Sequence, residues 1–163
     1  MKVLFLDIDG VVNSRRSSVR SGRIVGIDPQ LADRVGRIIA ETGCKVVLSS
    51  TWRLWEENVA EVRAAVTPEL YGMTPSIPFG RRGDEVQRWL ADHPEVTRYA
   101  IVDDNDDFAP DQPLFRTSWE VGITDEVADA VIAYLNGTGG IAPVGRRRRW
   151  LQRLFGGLRS GSL

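Results

Sequence analysis

Short apolar runs alternate along the chain with longer stretches in which apolar residues recur at helical spacing. Lys2 to Asp7 opens with five residues rich in Val, Leu and Phe, the mark of a strand buried on both faces. Asp28-Pro29 is a helix start, an N-cap acid followed by proline at the first helical position. Leu31, Val35, Ile38 and Ile39 then form a helical stripe that Gly43 ends. Lys45 to Ser49 reads as a second buried strand and Trp55 to Val66 as a helix facing inward through Val59, Val62 and Val66. A further helix over Gly83 to Asp92 carries Val86, Trp89 and Leu90, with Trp89 in the core. Tyr99 to Asp103 is a third strand, Leu114 to Thr117 a short edge strand, and Thr124 caps a last helix through Leu135.

Alternation of this kind predicts an α/β fold, an open and mostly parallel Rossmann-like sheet with helices on both faces. Such sheets bind ligands beyond the carboxyl ends of their strands. The polar clusters fall at those ends. Strand one runs into Asp7-Ile8-Asp9-Gly10, strand two into Ser49-Ser50-Thr51, and strand three into Asp103-Asp104-Asn105-Asp106-Asp107. Convergence of carboxylates and hydroxyls on one rim is the strongest functional signal in the sequence.

Composition narrows the chemistry. One cysteine, Cys44, permits no internal disulfide, and one histidine, His93, sits in a helix-end context and reads as structural or solvated. Cys/His zinc sites and Ser-His-Asp triads are therefore disfavoured, leaving carboxylates and hydroxyls to carry any catalysis. No apolar run approaches the ~20 residues needed to span a bilayer. The apolar start meets Asp7 without a small-residue cleavage site, so it reads as a strand rather than a signal peptide, and a cytoplasmic location is expected. Six of the 21 basic residues follow Pro143, where no acid occurs. The expected organisation is a catalytic domain over residues 1–137, then a Gly-rich break and a basic, partly amphipathic tail over residues 138–163. That tail, from Arg146 to Phe155, suits nucleic acid, an anionic membrane or a protein partner, and suits a frayed terminus equally.

Asp7 and Asp9, two residues apart, point the same way in an extended chain. Their mutual repulsion, with Asp103 and Asp104 nearby, calls for a hard cation, and Mg²⁺ suits carboxylates, water and a substrate phosphate together. In such a site Asp7 is the nucleophile, and Asp9 protonates the leaving group before activating water. Ser49 and adjacent backbone N–H groups hold phosphoryl oxygens, and Arg81 or Arg82 supplies a protein cation. Gly10 lets the backbone turn sharply beside a ligand. Ser50 fits either helix capping or substrate binding, and Trp52 and Arg53 either substrate contact or packing and solvation.

The segments Asp-Ile-Asp-Gly-Val-Val-Asn (Asp7 to Asn13), Ser-Ser-Thr-Trp-Arg (Ser49 to Arg53) and Val-Asp-Asp-Asn-Asp-Asp-Phe (Val102 to Phe108) resemble the haloacid dehalogenase (HAD) superfamily. Within it they are most similar to the small phosphatase branch associated with RNA-repair proteins and phage-type relatives. The resemblance runs from about Met1 to Leu135, with Arg81 or Arg82 meeting the third motif loosely. It implies an aspartyl-phosphate mechanism with Mg²⁺ bound by Asp7, by the backbone carbonyl of Asp9, and by Asp103 or Asp104. Asp104 is favoured, with Asp107 in an outer-shell role. In that superfamily, substrate-covering caps enter where this chain has only Asn13 to Ile27, a stretch holding Arg15, Arg16, Arg20 and Arg23. It is too short for a cap domain. An open site favours a large substrate such as a nucleic-acid end, and nearby arginines suit phosphate. Two rivals remain open: a small-molecule phosphatase or nucleotidase closed by a partner or by Asn13 to Ile27, and a non-catalytic binding module on the same fold.

Overall fold

A computed structural model describes residues 1–21 and 24–140. Arg23, the Arg20 side chain and the basic tail lie outside the described residues.

Five strands form one parallel sheet in the order β5-β4-β1-β6-β7. They are β1 (Lys2–Leu6), β4 (Lys45–Leu48), β5 (Leu70–Met73), β6 (Arg98–Asp103) and β7 (Leu114–Arg116). A separate two-stranded hairpin, β2 (Arg20–Ser21) with β3 (Ile24–Val25), lies between β1 and the first helix. Among the described residues it is the only regular structure in the position where a cap domain would enter, so the core carries no substantial cap.

The helices are α1 (Pro29–Thr42), α2 (Glu56–Ala65), α3 (Arg82–Ala91) and α4 (Asp125–Leu135). Local signals set their ends. The Asp28 side chain accepts from Gln30 N–H at 3.0 Å, and Gly43 closes α1 in the left-handed region at φ 65°. Thr124 caps α4 in the same manner as Asp28 caps α1, accepting from Val127 N–H.

Strand alternation divides the core. Leu4, Leu6, Val46, Leu48, Ala100 and Val102 pack against α1, α2 and α4. Val3, Phe5, Val47 and Ile101 point the other way, onto Val86 and Trp89 of α3. Phe5 meets Trp89 edge to face, with ring centroids 5.4 Å apart. His93 stacks on Trp89 at 3.5 Å, and its Nδ1 lies 2.7 Å from the Trp89 carbonyl, a structural placement.

Besides the β2–β3 hairpin, two elements were not expected. The edge strand β5 has Gly72 at its centre and only half-buried inward positions, so it lacks the continuous apolar run of β1. Thr51–Leu54 forms a 3₁₀ turn capped by Ser50 before α2. Among the described residues no helix is long and apolar enough to cross a membrane.

Candidate active site

Register assembles the site. Leu6 pairs with Leu48 on one side and with Val102 on the other, so the next residues, Ser49, Asp7 and Asp103, lie abreast. Backbone bonds carry the ladder one step further, from Ser49 N–H to Leu6 O at 2.9 Å and from Asp7 N–H to Val102 O at 3.0 Å. Continued alternation turns these three side chains toward the α3 face, where Arg82 begins that helix.

Arg82 fills the position. Its Nη1 donates to Asp7 Oδ1 at 2.8 Å and to Asp103 Oδ2 at 2.9 Å. Both acids are buried, while the arginine is part-exposed. Burial works against the Arg82 charge, but Asp7 and Asp103 outweigh it and hold the guanidinium further above its ordinary value. Burial pushes the Asp103 carboxyl up to about 7, helped by the Asp7 charge and opposed by Arg82. Asp104 is raised by the same two influences, burial first and Asp7 second.

Asp7, Asp103 and Asp104 each offer a carboxylate oxygen within 4.8 Å of the others. Three hard oxygen donors so close fit a divalent cation. Gly10 makes room: at φ 75° a Cβ there would stand 2.4 Å from Asp104 Oδ2. Thr117 fixes the loop from behind, its hydroxyl donating to Gly10 O at 2.6 Å.

The Asp9 carboxylate stands outside this trio. Its Oδ2 accepts from Trp52 Nε1 at 3.1 Å and its Oδ1 from Asn13 Nδ2 at 2.8 Å, while Asn13 Oδ1 accepts from Gly10 N–H. Asn13 and Trp52 are thus the scaffold of Asp9, a pairing the linear sequence does not display.

Ser49 is buried, and its Oγ has no hydrogen-bond partner. Thr74, drawn alongside by the bond from its N–H to Leu48 O, has an unpartnered Oγ1 as well. The Ser49 hydroxyl, buried and unpaired beside the Asp7 strand end, is open to an incoming hydrogen-bonding group.

The remaining expected residues separate. Arg81 is exposed and pairs with Asp84 at the helix start, away from the acids that Arg82 reaches. Arg53, which the sequence left between substrate contact and packing or solvation, is drawn inward. Its guanidinium donates to the carbonyls of Ser49 and Ser50 and pairs with Glu85 Oε2 at 2.9 Å. Ser50 is fully buried and accepts from Trp52 N–H as a cap. Asp107 accepts from Arg82 N–H and so fixes the start of α3.

A family model described as the HAD domain in Swiss Army Knife RNA repair proteins matches residues 3–128. No curated protein matches the chain. The matched span runs from β1 into the first turn of α4 and contains Asp7, Ser49, Arg82, Asp103 and Asp104. The chain therefore belongs to that family, the RNA-repair-associated branch of the HAD-type hydrolases.

Proposed function

We propose that the protein is a Mg²⁺-dependent phosphohydrolase that works through an aspartyl-phosphate on Asp7 and acts on terminal phosphates of nucleic acid. The observation that carries this reading is the Arg82 guanidinium bridging Asp7 and Asp103, abreast of the unpartnered Ser49 hydroxyl.

Asp7 attacks phosphorus, and the bond to the leaving oxygen breaks as the Asp7 oxygen–phosphorus bond forms. Asp9 gives its proton to the departing oxygen. Asp9 then takes a proton from the water that attacks the phosphoenzyme, releasing phosphate and restoring Asp7. Throughout, Arg82 and the Ser49 hydroxyl neutralise and bind the phosphoryl oxygens. Mg²⁺, held by Asp7, the Asp9 carbonyl and an acid of the 103–104 pair, would supply further positive charge to those oxygens. Asp104 suits direct ligation, because Asp103 is already engaged by Arg82 and by Asn105 N–H. Asp107 is an outer partner through its hold on Arg82 N–H.

The absence of a cap domain and the family's association with RNA repair support a nucleic-acid end as substrate. Arg15 and Arg16 are exposed on the loop after the nucleophile, Arg15 only in a surface pair with Glu120, and both suit contacts to phosphate.

Hydrolysis of an aryl phosphate, with and without Mg²⁺, in wild type and Asp7→Asn, tests the enzyme claim. Mg²⁺-dependent release that vanishes in the variant is expected. A folded wild type inactive under all conditions defeats the claim. Faster turnover of mononucleotides than of 3′- or 5′-phosphorylated oligonucleotides defeats the substrate assignment.

A further inference from the structure

Phe79 is fully exposed, and it is the one non-glycine residue with positive φ, 60°, among the described residues. It occupies the third position of a turn closed by Gly80 N–H to Ile77 O at 2.9 Å, with Pro78 before it. That position ordinarily takes glycine, which alone adopts positive φ without steric cost. The positive φ costs folding free energy, and the ring, left in solvent, buries no area to offset it. Strain retained in this way points to a ligand rather than to packing.

The turn is rigidly mounted. Ile77 N–H donates to Glu85 Oε1, and the Pro75 carbonyl accepts from the Arg53 guanidinium. A Cβ on Gly80 would stand 2.7 Å from the Ile77 side chain, so the turn is also tightly closed. Arg81, exposed, follows directly, and then Arg82, whose Nη1 touches Asp7. Three residues of chain span at most about 11 Å, so the Phe79 backbone lies within that distance of the Arg82 backbone. An exposed ring and an exposed arginine, whose surface partner is Asp84, therefore stand just ahead of Arg82 in the chain. Ring and cation together are the means by which proteins hold single-stranded nucleic acid, the ring by stacking a base and the cation by meeting the backbone.

We infer that the Phe79–Arg81 lip binds the nucleotide adjoining the scissile phosphate, with Phe79 stacking its base and Arg81 meeting its backbone. The inference rests on the nucleic-acid reading above and adds to it the element that recognises the strand. Nothing in it requires a particular base, since every base has a face to stack.

Three variants test the lip. Phe79→Gly removes the ring and relieves the backbone, Phe79→Leu keeps apolar bulk without aromaticity, and Phe79→Trp keeps a stacking face. The first readout is kcat/KM for a short terminally phosphorylated single-stranded RNA divided by kcat/KM for glycerol phosphate. That ratio is expected to fall about tenfold in Phe79→Gly and Phe79→Leu and to stay near wild type in Phe79→Trp. The second readout is fluorescence anisotropy of the same RNA, which needs no turnover and should show the same order of affinities. If wild type hydrolyses no phosphoester, the phosphohydrolase reading falls, and the lip is decided by the anisotropy order alone. A ratio and an affinity unchanged in Phe79→Gly overturn the inference. So does a Leu variant equal to wild type, which marks an apolar protein contact, or a loss confined to a phosphopeptide substrate.

Discussion

Arg53 and Glu85 form an ion pair at 2.9 Å with side chains only 7% and 10% exposed, tying the turn after β4 to the first turn of α3. Arg53 also holds the Ser49 and Ser50 carbonyls, and Glu85 lies one helical turn beyond Arg82. The pair thus clamps the segment bearing the Ser49 hydroxyl to the helix bearing the Arg82 guanidinium. Glu85→Ala leaves a buried guanidinium without its counter-ion, and a loss of about 3–5 kcal/mol is expected in denaturant unfolding. The double variant Arg53→Met/Glu85→Leu should recover most of that loss, because neither charge is then stranded. Equal stability of Glu85→Ala and wild type would refute the clamp.

Stability of the Mg²⁺-free protein should fall as pH rises from about 4 to about 7. The Asp103 carboxyl titrates near 7 in the fold and at the ordinary carboxylate value when unfolded. Between those values the folded protein holds a proton that the unfolded chain does not, so raising the pH favours unfolding. Asp104, shifted in the same direction, adds to the effect. A divalent cation beside these carboxylates offsets both the burial and the Asp7 charge that cause it. The gain in Tm on adding Mg²⁺ should therefore be larger at about pH 8 than at about pH 5, read by calorimetry. A gain independent of pH would show that the cation binds elsewhere.

Gly10→Ala tests the room left for Asp104. The added Cβ meets Asp104 Oδ2 at 2.4 Å, and φ 75° is unfavourable for alanine. A destabilisation of about 1–3 kcal/mol is expected from the backbone alone. Displacement of Asp104 should in addition raise the Mg²⁺ concentration for half-maximal activity. Unchanged Mg²⁺ dependence would remove Asp104 from the metal's reach and leave the role to Asp103.

Much of this architecture was legible because the relevant signals are local or periodic. Asp28-Pro29, Gly43 and Thr124 mark helix ends that the structure reproduces within a residue or two. The placement of Asp7, Ser49 and Asp103 on one rim follows from strand ends in a parallel sheet, and the register sets them abreast. What the sequence hid depends on distance in space. Arg81 and Arg82 are neighbours in the chain, yet the first helical residue faces the sheet and its predecessor faces solvent. Arg53 was equivocal because Glu85, 32 residues away, decides where it points. Strand β5 was missed because an edge strand with a central glycine has no buried run to announce it.

Asp9 accepts from both Trp52 Nε1 and Asn13 Nδ2, donors on different loops that fix both carboxyl oxygens. If Asp9 is the acid that protonates the leaving oxygen, these donors aim it. Trp52→Phe keeps the buried ring and removes one donor. A hydrogen bond to a charged group contributes about 1.5–3 kcal/mol, so a fall in kcat of at least about tenfold is expected where protonation matters. Alkyl phosphates need that proton, whereas a nitrophenolate departs without it. The loss in Trp52→Phe should therefore be severe for an alkyl phosphate and slight for p-nitrophenyl phosphate, measured as kcat for each. An equal loss on both substrates would assign Trp52 to packing, and Asn13→Ala, which removes the second donor from the other side, should repeat the leaving-group dependence if aiming is the cause.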